Sequence, residues 1–138
     1  MAIKLYDFVI KGIDVSGYNG TVEWDKVANK GVDFAGIRVG YGKVKDVQFS
    51  NNWSNAKGKT IRMPYWYLDY YSNHTSGTAV YGMSDTAWGR AQADMCWSLI
   101  KNDNDGVIVF LDIESASTSI APRIDQVTSR VQTIARAF

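Results

Sequence analysis

Val107-Ile108-Val109-Phe110-Leu111-Asp112-Ile113-Glu114 is an apolar run that ends in two acids. It follows a turn cluster, Asn102 to Gly106, and is too short for a core helix. A run apolar on both faces suits a strand of a parallel sheet covered by helices, so Val107–Ile113 is expected to be such a strand. Asp112 and Glu114 are two residues apart and share a face, with Ile108 and Phe110 below them on the same face. In parallel βα architectures the carboxyl ends of strands are where function gathers.

The same alternation extends back through the chain. Phe8–Val15 reads as a strand ending at the turn Ser16-Gly17-Tyr18-Asn19-Gly20, and Glu23–Asn29 as a short helix stopped by Gly31. Val32–Val39 reads as a second strand closed by Gly40-Tyr41-Gly42, and Val47–Lys57 as a helix closed by Gly58. Ile61–Leu68 is an aromatic-rich third strand, followed by a polar loop, Asp69–Gly82. Asp85–Lys101 is a long helix with Ser84 as N-cap. After the fourth strand, Pro122 opens a last helix whose apolar positions are Ile124, Val127, Val131, Ile134 and Phe138, a stripe at three-and-four spacing. Four strands, each followed by a helix, predict an α/β fold built from parallel βαβ units.

Two strand ends carry acids that a plain core would not select: Asp14 in Gly12-Ile13-Asp14-Val15-Ser16, and the Asp112–Glu114 pair. Two carboxyls held close above an apolar floor cannot both ionise cheaply, so one is expected to keep its proton near neutral pH. A protonated carboxyl beside an ionised one is the equipment of glycoside hydrolysis. The competing use of such acids is to cap or salt-bridge a loop, and for Asp14 it is turn chemistry. The strand rise does not separate retaining from inverting geometry. Tyr65, Trp66 and Tyr67, with Tyr41 and with Tyr70 and Tyr71 of the loop, supply flat rings with polar tips that suit sugar stacking; ordinary packing is the alternative.

The bulk numbers remove other classes. Lys plus Arg is 15 and Asp plus Glu is 14, with no basic run, which leaves no electrostatic footprint for nucleic acid or an anionic membrane. One cysteine, Cys96, and one histidine, His74, make neither a zinc site nor a disulfide framework. Cys96 lies in an apolar helical stretch and reads as a small core hydrophobe, and His74 as a solvated loop residue. No metal and no cofactor are expected. No secretory h-region and no membrane-length apolar run stand in the sequence.

The order and spacing of these features resemble the lysozymes of glycoside hydrolase family 25. Gly12-Ile13-Asp14-Val15-Ser16 with Gly20 and Trp24 is similar to the family's opening motif, and Phe34-Ala35-Gly36-Ile37-Arg38 to its second strand. Asp46, Phe49, Asn52 and Ala56 keep the family spacing in the next helix, Ala91-Gln92-Ala93 matches the third helix, and Leu111-Asp112-Ile113-Glu114 matches the Asp-x-Glu strand. Trp66, in Tyr65-Trp66-Tyr67, is a departure from the family's usual Tyr-His-Phe.

The resemblance implies an N-acetylmuramidase acting on peptidoglycan, with Glu114 as general acid, Asp112 orienting or stabilising the substrate's acetamido group or acting on a covalent intermediate, and Asp14 as a supporting acid. Tyr65, Tyr67, Trp66, Tyr71 and Tyr41 are the candidate substrate contacts, on the strength of their rings alone. The implied fold is a modified TIM-like (β/α) barrel, of which residues 12–138 would supply the first four βα units after an extension at 1–11. A complete barrel takes about 250 residues, so a second polypeptide or self-association is expected to complete this one. A catalytically inert cell-wall-binding or structural remnant is the alternative. The missing signal fits a phage endolysin-like protein, held in the host cytoplasm and then released to the cell wall, or a virion-associated lysin.

Overall fold

The computed structural model of the chain describes residues 10–70, 84–103, 106, 108–114 and 124–138. Its elements are β1 (Gly12–Val15), α1 (Trp24–Asn29), β2 (Phe34–Tyr41), β3 (Val44–Lys45), α2 (Phe49–Ala56), β4 (Ile61–Tyr67), α3 (Asp85–Ile100), β5 (Phe110–Asp112) and α4 (Ile124–Ala137), with a single 3₁₀ turn at Gly17–Asn19. The strands β1, β2, β4 and β5 pair in that order, all parallel. The result is a mixed α/β fold on a parallel sheet.

The two faces of this sheet differ in kind. Val15, Ala35, Ile37, Val39 and Trp66 point to one side and are buried with Trp24 of α1, Phe49, Trp53 and Ala56 of α2, and Cys96 and Ile100 of α3. Burial on this scale is the main stabilising term of the fold. The alternate residues, among them Asp14, Gly36, Arg38, Tyr65 and Tyr67, occupy the other face.

Some boundaries differ from the sequence reading for visible reasons. β2 begins at Phe34 and runs on to Tyr41, because Gly42, at φ 54°, turns the chain back so that Val44–Lys45 pairs antiparallel with Gly40–Tyr41. That hairpin was not expected, since a two-residue strand carries no periodic signal. β5 is three residues rather than seven, because its ladder partners are only Tyr65, Trp66 and Tyr67. Ile108 is exposed before it; Val107 lies outside the described residues, as do Phe8, Val9 and most of the loop 69–82.

α3 starts where expected: the Ser84 hydroxyl accepts a hydrogen bond from the Ala87 N–H at 3.2 Å. Cys96, on its inner face, is buried, and burial pushes its thiol up to about 12. Of the α4 stripe, Ile134 is fully buried with Leu68, Tyr70 and Trp88, and Val131 and Phe138 pack against them. Pro122 and the side chains of Ile124 and Val127 fall outside the description. At the other end of the sheet, Arg62 on β4 stacks over the Trp53 ring at 4.2 Å and pairs with Asp103, tying the turn after α3 to α2.

α3 and α4 cross at Gly89, where a Cβ would collide with the Ile134 carbonyl oxygen and stand 2.8 Å from the Ala137 Cβ. Gly89→Ala is therefore expected to destabilise the fold by about 1–3 kcal/mol, the usual cost of overpacking against backbone. Urea denaturation of the two chains checks it; an unchanged midpoint would mean that the helices separate freely.

Candidate active site

The carboxyl ends of the parallel strands surround a cleft of about 750 Å³. Asp14 reaches it from β1, Arg38 and Tyr41 from β2, Tyr65 and Tyr67 from β4, and Phe110, Leu111, Asp112 and Glu114 from β5 and its end, while Ser16 and Tyr18 close it from the turn after β1. Of the residues picked out in the sequence, Asp14, Asp112, Glu114, Tyr41, Tyr65 and Tyr67 are thus brought together.

Local structure accounts for each placement. Ser16 caps the 3₁₀ turn: its hydroxyl accepts from the Tyr18 N–H at 3.3 Å, and the Asn19 side chain accepts from the Ser16 N–H at 2.8 Å. The turn presents Tyr18 at the cleft, and the Gly17 N–H donates to Asp46 Oδ2 at 2.8 Å. On β2 the register slips between Arg38 and Gly40, a bulge against β4. Without it, strict alternation would send Arg38 and Tyr41, three residues apart, to opposite faces. With it, both line the cleft. Glycine is required at position 40, because a Cβ there would meet the Val44 carbonyl and the Trp66 ring.

Arg38 donates from Nε and Nη2 to Asp46 Oδ2 at 2.8 and 2.7 Å, and Asp46 is only 2% exposed. Its guanidinium carbon stands 5.1 Å from the Tyr18 ring centre and 5.7 Å from that of Tyr41. Sequence reading did not assign Arg38 a role. The available signal was an arginine inside the apolar strand Val32–Val39, with an acid eight residues on.

The acids sit in unequal surroundings. Asp112 is held by its carbonyl, which accepts from the Leu68 N–H at 2.9 Å. Burial raises its carboxyl above the ordinary range, helped by the charge of Glu114, a side-chain hydrogen bond with Glu114 and the charge of Asp14, while Arg38 opposes the shift. Tyr65, half-buried between these groups, is pushed up to about 12, chiefly by burial; it stays a neutral phenol. Glu114 is exposed, and its backbone carbonyl accepts from the Tyr70 hydroxyl at 2.9 Å.

Two aromatic assignments change. Trp66 is 0% exposed, on the helix side of the sheet, where its indole N–H donates to Gln92 Oε1 at 3.2 Å. It is a core residue and not a cleft residue, as alternation between Tyr65 and Tyr67 requires. Tyr70 is buried as well, and holds Glu114 rather than presenting a face to a ligand. Gln92 also accepts from the Asp69 N–H and donates to the Asp69 carbonyl, both at 2.9 Å, so one buried amide from α3 locks the end of β4. Tyr71 and His74 lie outside the described residues. Among the described residues no three His, Cys, Asp or Glu side chains form a group suited to a metal ion.

Fold and site together define a parallel α/β protein with a carboxyl-lined, aromatic-walled cleft at its strand ends. The model of the glycosyl hydrolases family 25 matches residues 13–137, and the chain belongs to that family. Lysozyme M1 of Streptomyces globisporus is 39% identical over 72 residues, 51% of this chain and 24% of that protein. A family 25 glycosyl hydrolase from Bacillus anthracis superposes with a TM-score of 0.71 at 22% identity, covering 98% of this chain and 57% of that one. A muramidase from Acremonium alcalophilum gives 0.67 at 20%, covering 94% and 59%. The chain therefore spans well under two thirds of the length of these relatives.

The raised Asp112 carboxyl has a consequence for stability. A carboxyl whose pKa is higher folded than unfolded stabilises the fold fully below its unfolded value, near about 3.9, and loses that contribution as pH rises through the folded value. Asp112→Asn removes the ionisation, so its melting temperature is expected to exceed that of the native chain at pH 7, with the gap closing toward pH 4. Thermal melts at the two pH values check it; a gap that is equal at both, or reversed, would show that Asp112 ionises freely.

Proposed function

We propose that this chain is the N-terminal portion, residues 12–138, of a peptidoglycan-hydrolysing domain that cuts the β-1,4 bond between N-acetylmuramic acid and N-acetylglucosamine. The observation that carries the proposal is the meeting of Asp14, Asp112 and Glu114 with Tyr41, Tyr65 and Tyr67 in one cleft of a family 25 chain. Parallel strands in sequential order with the helices packed on one face support reading the sheet as the first four βα units of a modified TIM-like barrel.

In this reading Glu114 gives its proton to the glycosidic oxygen as the bond from that oxygen to the anomeric carbon breaks. The positive charge left on the sugar ring lies close to Asp112 and Asp14, whose negative charge stabilises it. Water then completes hydrolysis, either after attack by the substrate's own acetamido oxygen, which Asp112 would orient, or after a covalent carboxylate intermediate. Tyr70 serves as a positioning residue by fixing the Glu114 backbone. A binding protein without turnover is the second reading; what favours it is the exposure of Glu114, since a general acid gains from a drier pocket. A route through a phage lysin that reaches the wall from the cytoplasm or from the virion fits the cleft's substrate; no described helix is long and apolar enough to cross a membrane.

Glu114→Gln keeps the shape and removes the proton donor. Turbidity clearing of purified cell walls, by the chain alone or by the assembly that contains it, is expected to fall by about 10² or more. Clearing at the original rate would remove Glu114 from the acid role, and binding without clearing by the native protein would select the second reading. Tyr65→Ala and Tyr67→Ala are each expected to weaken binding of a muropeptide chain by about 0.5–1.5 kcal/mol, the value of a stacked ring. Titration calorimetry checks this, and unchanged affinity in both would make the rings structural.

A further inference from the structure

Arg38 is the one cation among the described residues lining a cleft that also holds Asp14, Asp112 and Glu114. A guanidinium placed there to neutralise the catalytic acids would bond to them. Instead its ion pair is with Asp46, behind the cleft wall, whose second oxygen is taken by the Gln48 N–H at 2.9 Å. Nε and Nη2 are both committed to Asp46 Oδ2, and the guanidinium carbon stands 5.1 Å from the Tyr18 ring centre and 5.7 Å from that of Tyr41. The remaining nitrogen, Nη1, donates to no described residue. It belongs to a group held in place by its ion pair with buried Asp46 before any ligand arrives.

We infer that Nη1 of Arg38 is the receptor for a carboxylate carried by the glycan substrate on its muramic acid arm. The inference rests on the peptidoglycan reading above and adds a specificity determinant to it. A guanidinium edge matches carboxylate geometry, and its bonds to a charged acceptor are stronger than those to a neutral one. Pre-ordering by Asp46, Tyr18 and Tyr41 lowers the entropy lost when the ligand binds. Arg38 is the one cationic edge among the described cleft residues, so a carboxylate of the ligand is expected beside it, and the cation also sets which sugar of the strand lies at which point. The carboxylate has two sources, the free lactyl carboxylate of a peptide-free strand or a carboxylate of the attached stem peptide. A strand built only from N-acetylglucosamine has neither.

Equilibrium binding to the full chain, by titration calorimetry, tests this with four probes: a peptide-free tetrasaccharide of alternating N-acetylglucosamine and N-acetylmuramic acid, its methyl ester, the same tetrasaccharide bearing stem peptides, and chitotetraose. At least one carboxylate probe is expected to bind roughly tenfold or more tighter than the uncharged ones, the advantage shrinking as salt rises. In Arg38→Gln the ratio of charged to uncharged affinity is expected to fall to near one. The double variant Arg38→Gln/Asp46→Asn gives the same ratio without a lone buried charge, and the native measurements stand if either variant does not fold. A preference for the free acid over its ester assigns the lactyl source, and a preference confined to the peptide-bearing probe assigns the stem. Equal binding of all four by the native chain, or a preference that survives in Arg38→Gln, overturns the inference and leaves the glycan cleft standing. Binding of none overturns both.

Discussion

A single buried carboxylate, that of Asp46, is shared between three parts of the chain that are distant in sequence. It receives the Gly17 N–H from the turn after β1, two nitrogens of Arg38 from β2, and the Gln48 N–H at the start of α2. Burying a charge is costly unless its hydrogen bonds are met, and here four donors meet them. Removing one partner from such a site typically costs about 3–5 kcal/mol, because the other charge is left unpaired. The cleft wall from Ser16 to Tyr41 takes its shape from this point: Gly17 carries Tyr18 with it, and Arg38 stands within reach of both the Tyr18 and Tyr41 rings.

The opposite wall is fixed by a neutral counterpart. Gln92 bonds to the backbone on both sides of Asp69 and to the Trp66 indole, and the Trp88 indole N–H donates to the Asp69 carbonyl at 2.6 Å. Tyr70, one residue on, then reaches Glu114. Asp112 thus ends a strand of only three residues, and Glu114, two residues beyond it, is held by the Tyr70 hydroxyl rather than by a long ladder. Both walls follow one plan, in which the sheet delivers the cleft side chains and buried polar groups behind it hold their backbone in place.

Much of this was legible in the sequence, and the limits have physical causes. The strand and helix order follows from apolar runs separated by glycines, and the Asp112–Glu114 face from simple alternation, because both are local properties. Trp66 lies among the cleft aromatics in the chain, yet alternation between Tyr65 and Tyr67 sends it to the helix face, where it is buried. The bulge at Arg38–Gly40 was not readable, since it depends on register with β4, and it is what turns Tyr41 toward Arg38. The β3 hairpin and the three-residue length of β5 depend equally on pairing partners that no local pattern contains. Asp46 stood out only as a spacing match, because its donors come from both sides of it in the chain.

The burial of Cys96 gives the molecule an internal reporter. A thiol held beneath α3, with its ionisation displaced to about 12, is closed to alkylating reagents at neutral pH as long as that helix stays on the sheet. With one cysteine in the chain, any covalent label acquired in native buffer marks a molecule in which α3 had lifted away. Because α3 also carries Gln92, the rate of labelling reads the opening of the very helix that keeps the end of β4, and so one side of the cleft, in order.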